Sequence, residues 1–328
     1  MGLVCAGLLA ERTRVVLWGH DAKEIDSLAQ SRRSNRLPGF VLPASVACTA
    51  KPQDLSQADL IVSAIPVQYS RAVWQAIGKH TAKHAGVVCV AKGIETTTLL
   101  RPTQVIADAL RTSGVDHPDA PPRPIATLSG PTIATELAKR LPAAMIAASD
   151  DEVFSRQVQQ TFATSWLRIY TNSDVLGVEL AGAVKNVIAI AAGICDGLQA
   201  GNNAKSALLA RGLAEIVRLG TAMGAAPETF FGISGVGDLA TTCFSPEGRN
   251  RSCGEALGKG RKLDDYLAST PHVVEGVETT RGVLELAKKY RVELPIVSAV
   301  HAVLFEGTDP IDAISRLMSR EQKAERVG

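Results

Sequence analysis

Aromatic residues make up only 4% of the 328 residues, and no charge predominates: Lys plus Arg total 35 against 33 Asp plus Glu, a formal net charge of +2. Such a balanced chain has no global field to gather nucleic acid or hold an anionic membrane. Without aromatics interleaved among basic runs it also lacks the stacking platforms of single-strand binders. No nucleic-acid partner is expected, and any anionic ligand must be held by local cations. Cysteine is sparse. Cys5, Cys48, Cys89, Cys195, Cys243 and Cys253 stand singly, with no C-x-x-C pair and no accompanying His spacing. No metal site is expected, and reduced core thiols in a reducing, cytoplasmic compartment are the simpler account. The apolar opening, residues 1–10, has no basic stretch before it, and Ala6 stands where a myristoylation signal places Ser or Thr. The segment 175–198 is apolar enough to raise the question of a membrane span. Glu179, Lys185, Asn186 and Asp196 within it favour a buried helix, so no membrane insertion is expected.

What is present is a 46% apolar chain, long enough for two domains with substantial cores. The first half alternates short β-branched runs, at 14–18, 60–64, 87–91, 125–129 and 144–147, with amphipathic stretches such as 69–80 and 103–112. That alternation predicts a parallel sheet covered by helices. The Pro-rich stretch 113–124 reads as an exposed connection. From about Ser173 helical periodicity takes over, at 175–198, 204–223, 277–289 and 297–305. The expected division is an N-terminal domain over 1–172 and a helical one over 173–328.

Several constellations bear chemistry. In 179–193, Lys185 shares a helical face with Ala181, Gly182, Ile188 and Ala189. A desolvated ammonium loses its proton more easily and becomes a candidate base; the same pattern also fits a lysine whose stem covers apolar surface. Asp238 follows Gly235-Val236-Gly237 and reads either as the carboxylate that orients this lysine or as a helix N-cap. Arg249-Asn250-Arg251, after Gly248, offers planar donors suited to phosphate, or an ordinary solvated loop. Ser129-Gly130-Pro131-Thr132 and Ala91-Lys92-Gly93 each end a strand, where ligands of open parallel sheets sit, or merely cap and solvate.

One motif is absent. A dinucleotide-binding unit runs strand, G-x-G-x-x-G, helix, whereas Met1-Gly2 opens directly on an apolar helix and only the third glycine remains, as Gly2. A native start roughly ten to fifteen residues earlier is therefore expected, since a strand of about five or six residues plus its turn would precede Gly2.

In this order and spacing, Leu17-Trp18-Gly19-His20-Asp21, Leu37-Pro38-Gly39, Ala91-Lys92-Gly93, Ser129-Gly130-Pro131-Thr132, Ala183-Val184-Lys185-Asn186, Gly237-Asp238-Leu239, Arg249-Asn250-Arg251 and Val273-Val274-Glu275-Gly276 are highly specific. Together they make the chain, from Gly2 almost to its C-terminus, resemble the bacterial-type NAD(P)-dependent glycerol-3-phosphate dehydrogenases. The resemblance implies a Rossmann-type doubly wound N-terminal domain, its first strand and the start of its glycine loop missing, with an all-α C-terminal domain. It implies interconversion of sn-glycerol 3-phosphate and dihydroxyacetone phosphate with NAD or NADP, supplying glycerol 3-phosphate for phospholipid synthesis. By the same resemblance Lys185 is the proton acceptor, and Lys92, Gly130, Thr132, Asp238, Gly248, Arg249 and Asn250 line the substrate. Gly2, His20, Lys92, Ala134, Arg249, Val273 and Glu275 would hold the cofactor.

Two departures stand out. Gly248 replaces the Ser of many relatives, and the stretch 34–39 is one residue short of the usual pattern. Where an NAD-specific protein places its ribose-binding acid stand Gly19 and His20, so both NADH and NADPH are expected to be accepted. A homodimer is carried as an expectation. The rival readings are a related hydroxy-acid dehydrogenase and a nucleotide-binding homologue that lost catalysis with its glycine loop.

Overall fold

The computed structural model describes all residues except 118, 120, 322, 323 and 325–328. It opens with α1 (Gly2–Leu9), β1 (Val16–Trp18), α2 (Ala22–Ser31) and β2 (Ala47–Thr49); β1 and β2 pair in parallel. Next come β3 (Leu60–Ser63), α3 (Val67–Ile77), β4 (Gly86–Cys89), α4 (Pro102–Thr112), β5 (Ile125–Ser129), α5 (Ala134–Ala138), β6 (Ala143–Ser149), α6 (Glu152–Phe162) and β7 (Leu167–Asn172). The last five strands form a second sheet in the order β3-β4-β5-β6-β7, separate from β1-β2. Helices on both faces explain why Val87, Val88 and Cys89 of β4 are all fully buried and read as one apolar run. Asp21 and Asp151 start α2 and α6 by accepting two backbone N–H groups each.

Two features correct the sequence reading. β6 runs antiparallel to β5, because the connection through the short α5 stays at one edge of the sheet and never crosses its face; β7 follows β6 in parallel. The stretch 113–124 is not wholly an exposed connection, since Arg123 is buried, donating to Ala82 O and Ala85 O and pairing with Asp116 at 3.0 Å.

Beyond β7 the chain is helical: α7 (Val175–Gly197), α8 (Gly201–Met223), α9 (Asp238–Phe244), α10 (Arg249–Gly258), α11 (Leu263–Ser269), α12 (Glu275–Tyr290), α13 (Pro295–Phe305) and α14 (Pro310–Met318). Asp174 caps α7 by accepting from Gly177 N–H. α7 is mostly apolar, is buried on nearly every face apart from its last turns, and forms the axis of this half, as such helices do in a core. It is long and apolar enough to cross a membrane, but 89% of its apolar window is buried inside the protein.

α10 lies against α7 with almost nothing between the backbones. A Cβ on Gly193 would stand 1.9 Å from Arg251 O, and one on Gly254 would stand 1.9 Å from Ile190 O. Glycine inside a helix costs about 0.5–1 kcal/mol relative to alanine, and here the close approach requires it.

The two halves interlock behind β4. Ile94, in the loop that follows β4, is fully buried in the core built around α7, Val187 and Val297. Burial of such a side chain contributes about 1.5–3 kcal/mol. Arg101 Nη1 reaches Glu179 of α7 at 2.5 Å, and Thr103, in the first turn of α4, donates to the same carboxylate from both N–H and hydroxyl.

Candidate active site

A cleft of about 2680 Å³ opens at the carboxyl edge of β3, β4 and β5 and runs on between β1 and β3. Its wall includes Gly2, His20, Lys92, Thr132, Ala134, Lys185, Asp238, Gly248, Arg249, Asn250, Val273 and Glu275, which is every residue the resemblance assigned to base, substrate or cofactor but Gly130; Arg251, the third member of the Arg249-Asn250-Arg251 run, faces away from it toward Asp196. Gly130 lies just behind the wall with φ +146°, a conformation closed to side chains, and a Cβ there would meet Ala144 O at 2.9 Å. Its carbonyl accepts from Lys92 Nζ at 3.2 Å.

At the centre one carboxylate bridges two lysines. Lys185 Nζ donates to Asp238 Oδ1 at 2.6 Å, and Lys92 Nζ donates to Asp238 Oδ2 at 2.5 Å. Lys185 is 5% exposed and Asp238 1%. The N-cap of α9 is Gly237, and the Asp238 side chain faces the lysines, so of its two sequence readings the orienting one describes its contacts. A π-helical turn at Ile233–Gly237 delivers it, as such turns often do at functional sites. Lys92 reaches across from the other half with its stem over Gly182, where a Cβ would come within 3.4 Å of Lys92 Cγ.

Burial pulls the Lys185 ammonium down from its ordinary value to about 8; Asp238 opposes this and Lys92 adds to it. Thr242, absent from the sequence reading, takes a second Lys185 N–H at 2.5 Å while donating to Asp238 O at 2.7 Å. Its signal was available: position 242 is one helical turn after Asp238 on the same face.

Arg249 and Asn250 open α10. Arg249 is exposed, with Nη1 3.2 Å from Val273 O, and the buried Asn250 Oδ1 accepts from Gly276 N–H at 2.9 Å, tying this turn to the start of α12. Asn186, beside the base, donates to Glu275 Oε2 at 3.4 Å. His20 is exposed where β1 ends, and Thr132 and Ala134 lie at the entry to α5.

At the other end of the cleft stands the N-terminal end of α1, and helix amides at such an end suit an anionic ligand. Gly2 there sits so close to β3 that a Cβ would come 3.3 Å from Ala64 Cβ. A helix N-terminus that opens on a glycine at the end of the cleft fits a dinucleotide. The wall around Lys185 supplies a base near neutrality, with cations for a phosphorylated alcohol.

Residues 1–155 match the family model for the N-terminus of NAD-dependent glycerol-3-phosphate dehydrogenase, and residues 174–315 match that for its C-terminus. A glycerol-3-phosphate dehydrogenase [NAD(P)+] of Salinibacter ruber is 44% identical over 95% of this chain and 90% of its own. One from Syntrophotalea carbinolica is 42% identical over 99% and 96%. The crystal structure of glycerol-3-phosphate dehydrogenase from Coxiella burnetii superposes with a TM-score of 0.90 at 32% identity, covering 97% of this chain and 95% of that one. With its fold and both of its halves so matched, the chain belongs to the family of NAD-dependent glycerol-3-phosphate dehydrogenases.

Proposed function

We propose that this chain is an oxidoreductase that interconverts sn-glycerol 3-phosphate and dihydroxyacetone phosphate with NAD or NADP, supplying glycerol 3-phosphate for phospholipid synthesis. The observation that carries this reading is Lys185, buried in the cleft with its pKa lowered to about 8 and held by Asp238 and Thr242. When bound, the nicotinamide supplies hydride transfer. The protein supplies position, a base and a grip on phosphate.

In oxidation, neutral Lys185 Nζ takes the proton of the C2 hydroxyl; in reduction, protonated Nζ returns it to the new alkoxide oxygen. Asp238 fixes the direction of Nζ and balances the ammonium that forms. Lys92, Thr132 and Gly248 line the substrate, Gly130 acts from behind them through its carbonyl on Lys92, and Arg249 and Asn250 hold the phosphate. Gly2, His20, Lys92, Ala134, Arg249, Val273 and Glu275 are assigned to the cofactor, with Gly2 and the α1 amides at its pyrophosphate. The halves 1–172 and 173–328 serve as cofactor and substrate domains, and the protein acts in the cytoplasm as a homodimer, without membrane insertion.

Lys185→Ala tests the reading. It is expected to lower turnover of dihydroxyacetone phosphate by about 10²–10⁴-fold while leaving NADPH affinity intact. Near-normal turnover would falsify the assignment of the base. Cofactor binding by the unaltered chain without turnover would instead favour the non-catalytic homologue, and faster turnover of a 2-hydroxy acid would favour a carboxylate substrate.

A further inference from the structure

A second charged cluster lies outside the cleft, on the same helix as the base. Asp196 follows Lys185 by eleven residues, three turns of α7, and so lies on the same face. Its carboxylate receives both oxygens' worth of contact from Lys205 of α8, at 2.8 and 2.7 Å. Arg251 Nε of α10 stands 2.6 Å from Asp196 Oδ2, an ionic contact too bent to be a hydrogen bond. Arg251 also faces Glu255 at 3.4 Å, and Lys205 Nζ lies 4.8 Å from the centre of the Phe244 ring. Asp196, Lys205 and Arg251 do not line the cleft.

The two cations report to different elements. Phe244 ends α9, the helix that carries Asp238 and Thr242, and Arg251 sits in the first turn of α10 beside Arg249 and Asn250. Between them runs only the turn 245–248, closed by Gly248 N–H to Ser245 O. Asp196 therefore fastens both limbs of that turn to α7, the helix that positions the base. Lys205 and Arg251 side chains are only 8% and 14% exposed. Without the carboxylate, two poorly solvated cations face each other and repel.

We propose that Asp196, through Arg251 and Lys205, is a positioning residue that sets the α10 turn, and with it Arg249 and Asn250, at the distance from Lys185 that the phosphate end of the substrate requires. This rests on the reading of Arg249 and Asn250 as the phosphate grip.

The test is steady-state kinetics of Asp196→Asn and Arg251→Lys, with Arg249→Ala as the reference for the grip itself. Each of the first two is expected to raise KM for dihydroxyacetone phosphate at least tenfold, and the inhibition constant of inorganic phosphate in parallel. Turnover at saturation should stay within threefold, and the midpoint of its pH profile, set at Lys185, should not move. Asp196→Glu should restore most of KM. A lowered melting temperature with unchanged KM in both variants would show that the cluster only stabilises the fold, and a fall in turnover without a rise in KM would equally overturn the proposal. If Arg249→Ala also leaves KM unchanged, the grip itself is wrongly placed; if it raises KM while the other two do not, this inference alone fails.

Discussion

At the scale of single residues, Lys185 is pulled in opposite directions. Burial and the nearby Lys92 favour its neutral form, Asp238 favours the ammonium, and the balance rests at about 8. The sign of its pH dependence follows. Oxidation needs the free amine, so turnover of glycerol 3-phosphate should rise as pH increases through about 8. Reduction needs the ammonium, so turnover of dihydroxyacetone phosphate should fall over the same interval. Measuring both directions across pH 6–10 at saturation checks this, and parallel profiles in the two directions would assign the titration to another group. Lys185 was legible in the sequence because an ionisable group in an apolar helical face is conspicuous. Its partners were less so. Asp238 could equally have been a cap, and the contact from Lys92 joins residues 146 apart in the chain, which no local pattern reveals.

Among the elements, α7 and α10 decide the geometry of the cleft by touching backbone to backbone. Alanine at Gly193 cannot be absorbed by a side-chain rotation, because the atom in the way is the carbonyl oxygen of Arg251, and α10 itself would have to shift. Gly193→Ala should therefore destabilise the protein by about 1–3 kcal/mol, as overpacked cores do, and raise KM for the phosphorylated substrate as Arg249 and Asn250 are displaced. Thermal melting and steady-state kinetics read the two effects. A variant unchanged in both would mean that the contact has slack. The long helices and the core strands were readable from their periodicity. β2, only Ala-Cys-Thr, is too short to alternate, whereas β7 does alternate, with Leu167 and Ile169 buried and Arg168 and Tyr170 exposed. The reversal at β6 lies in the path of a connection, which composition does not encode.

For the molecule as a whole, the choice between cofactors is expected to turn on the residues where β1 ends. Asp21 is the nearest carboxylate along the chain to Gly19 and His20, and it is already engaged by the N–H groups of Lys23 and Glu24 at 2.9 and 3.2 Å. One of its oxygens is thereby committed to starting α2, and Gly19 and His20 themselves offer no acid to repel a 2′-phosphate. NADH and NADPH should both support turnover, and a preference for NADH beyond about a thousandfold, ~4 kcal/mol in kcat/KM, would show an acid acting from elsewhere.

The single carboxylate shared by Lys185 and Lys92 also has a mechanical side. Lys185 belongs to one half of the molecule and Lys92 to the other, so the charge of Asp238 is divided between holding a proton on the base and holding the halves together. Opening the cleft enough to part Lys92 from Asp238 leaves more of that charge to Lys185 and strengthens its grip on its proton. By reciprocity, when Lys185 gives its proton up, a like charge leaves the neighbourhood of Lys92 and Asp238 binds Lys92 harder. Proton transfer at one nitrogen is thus felt in an ion pair that joins the two halves.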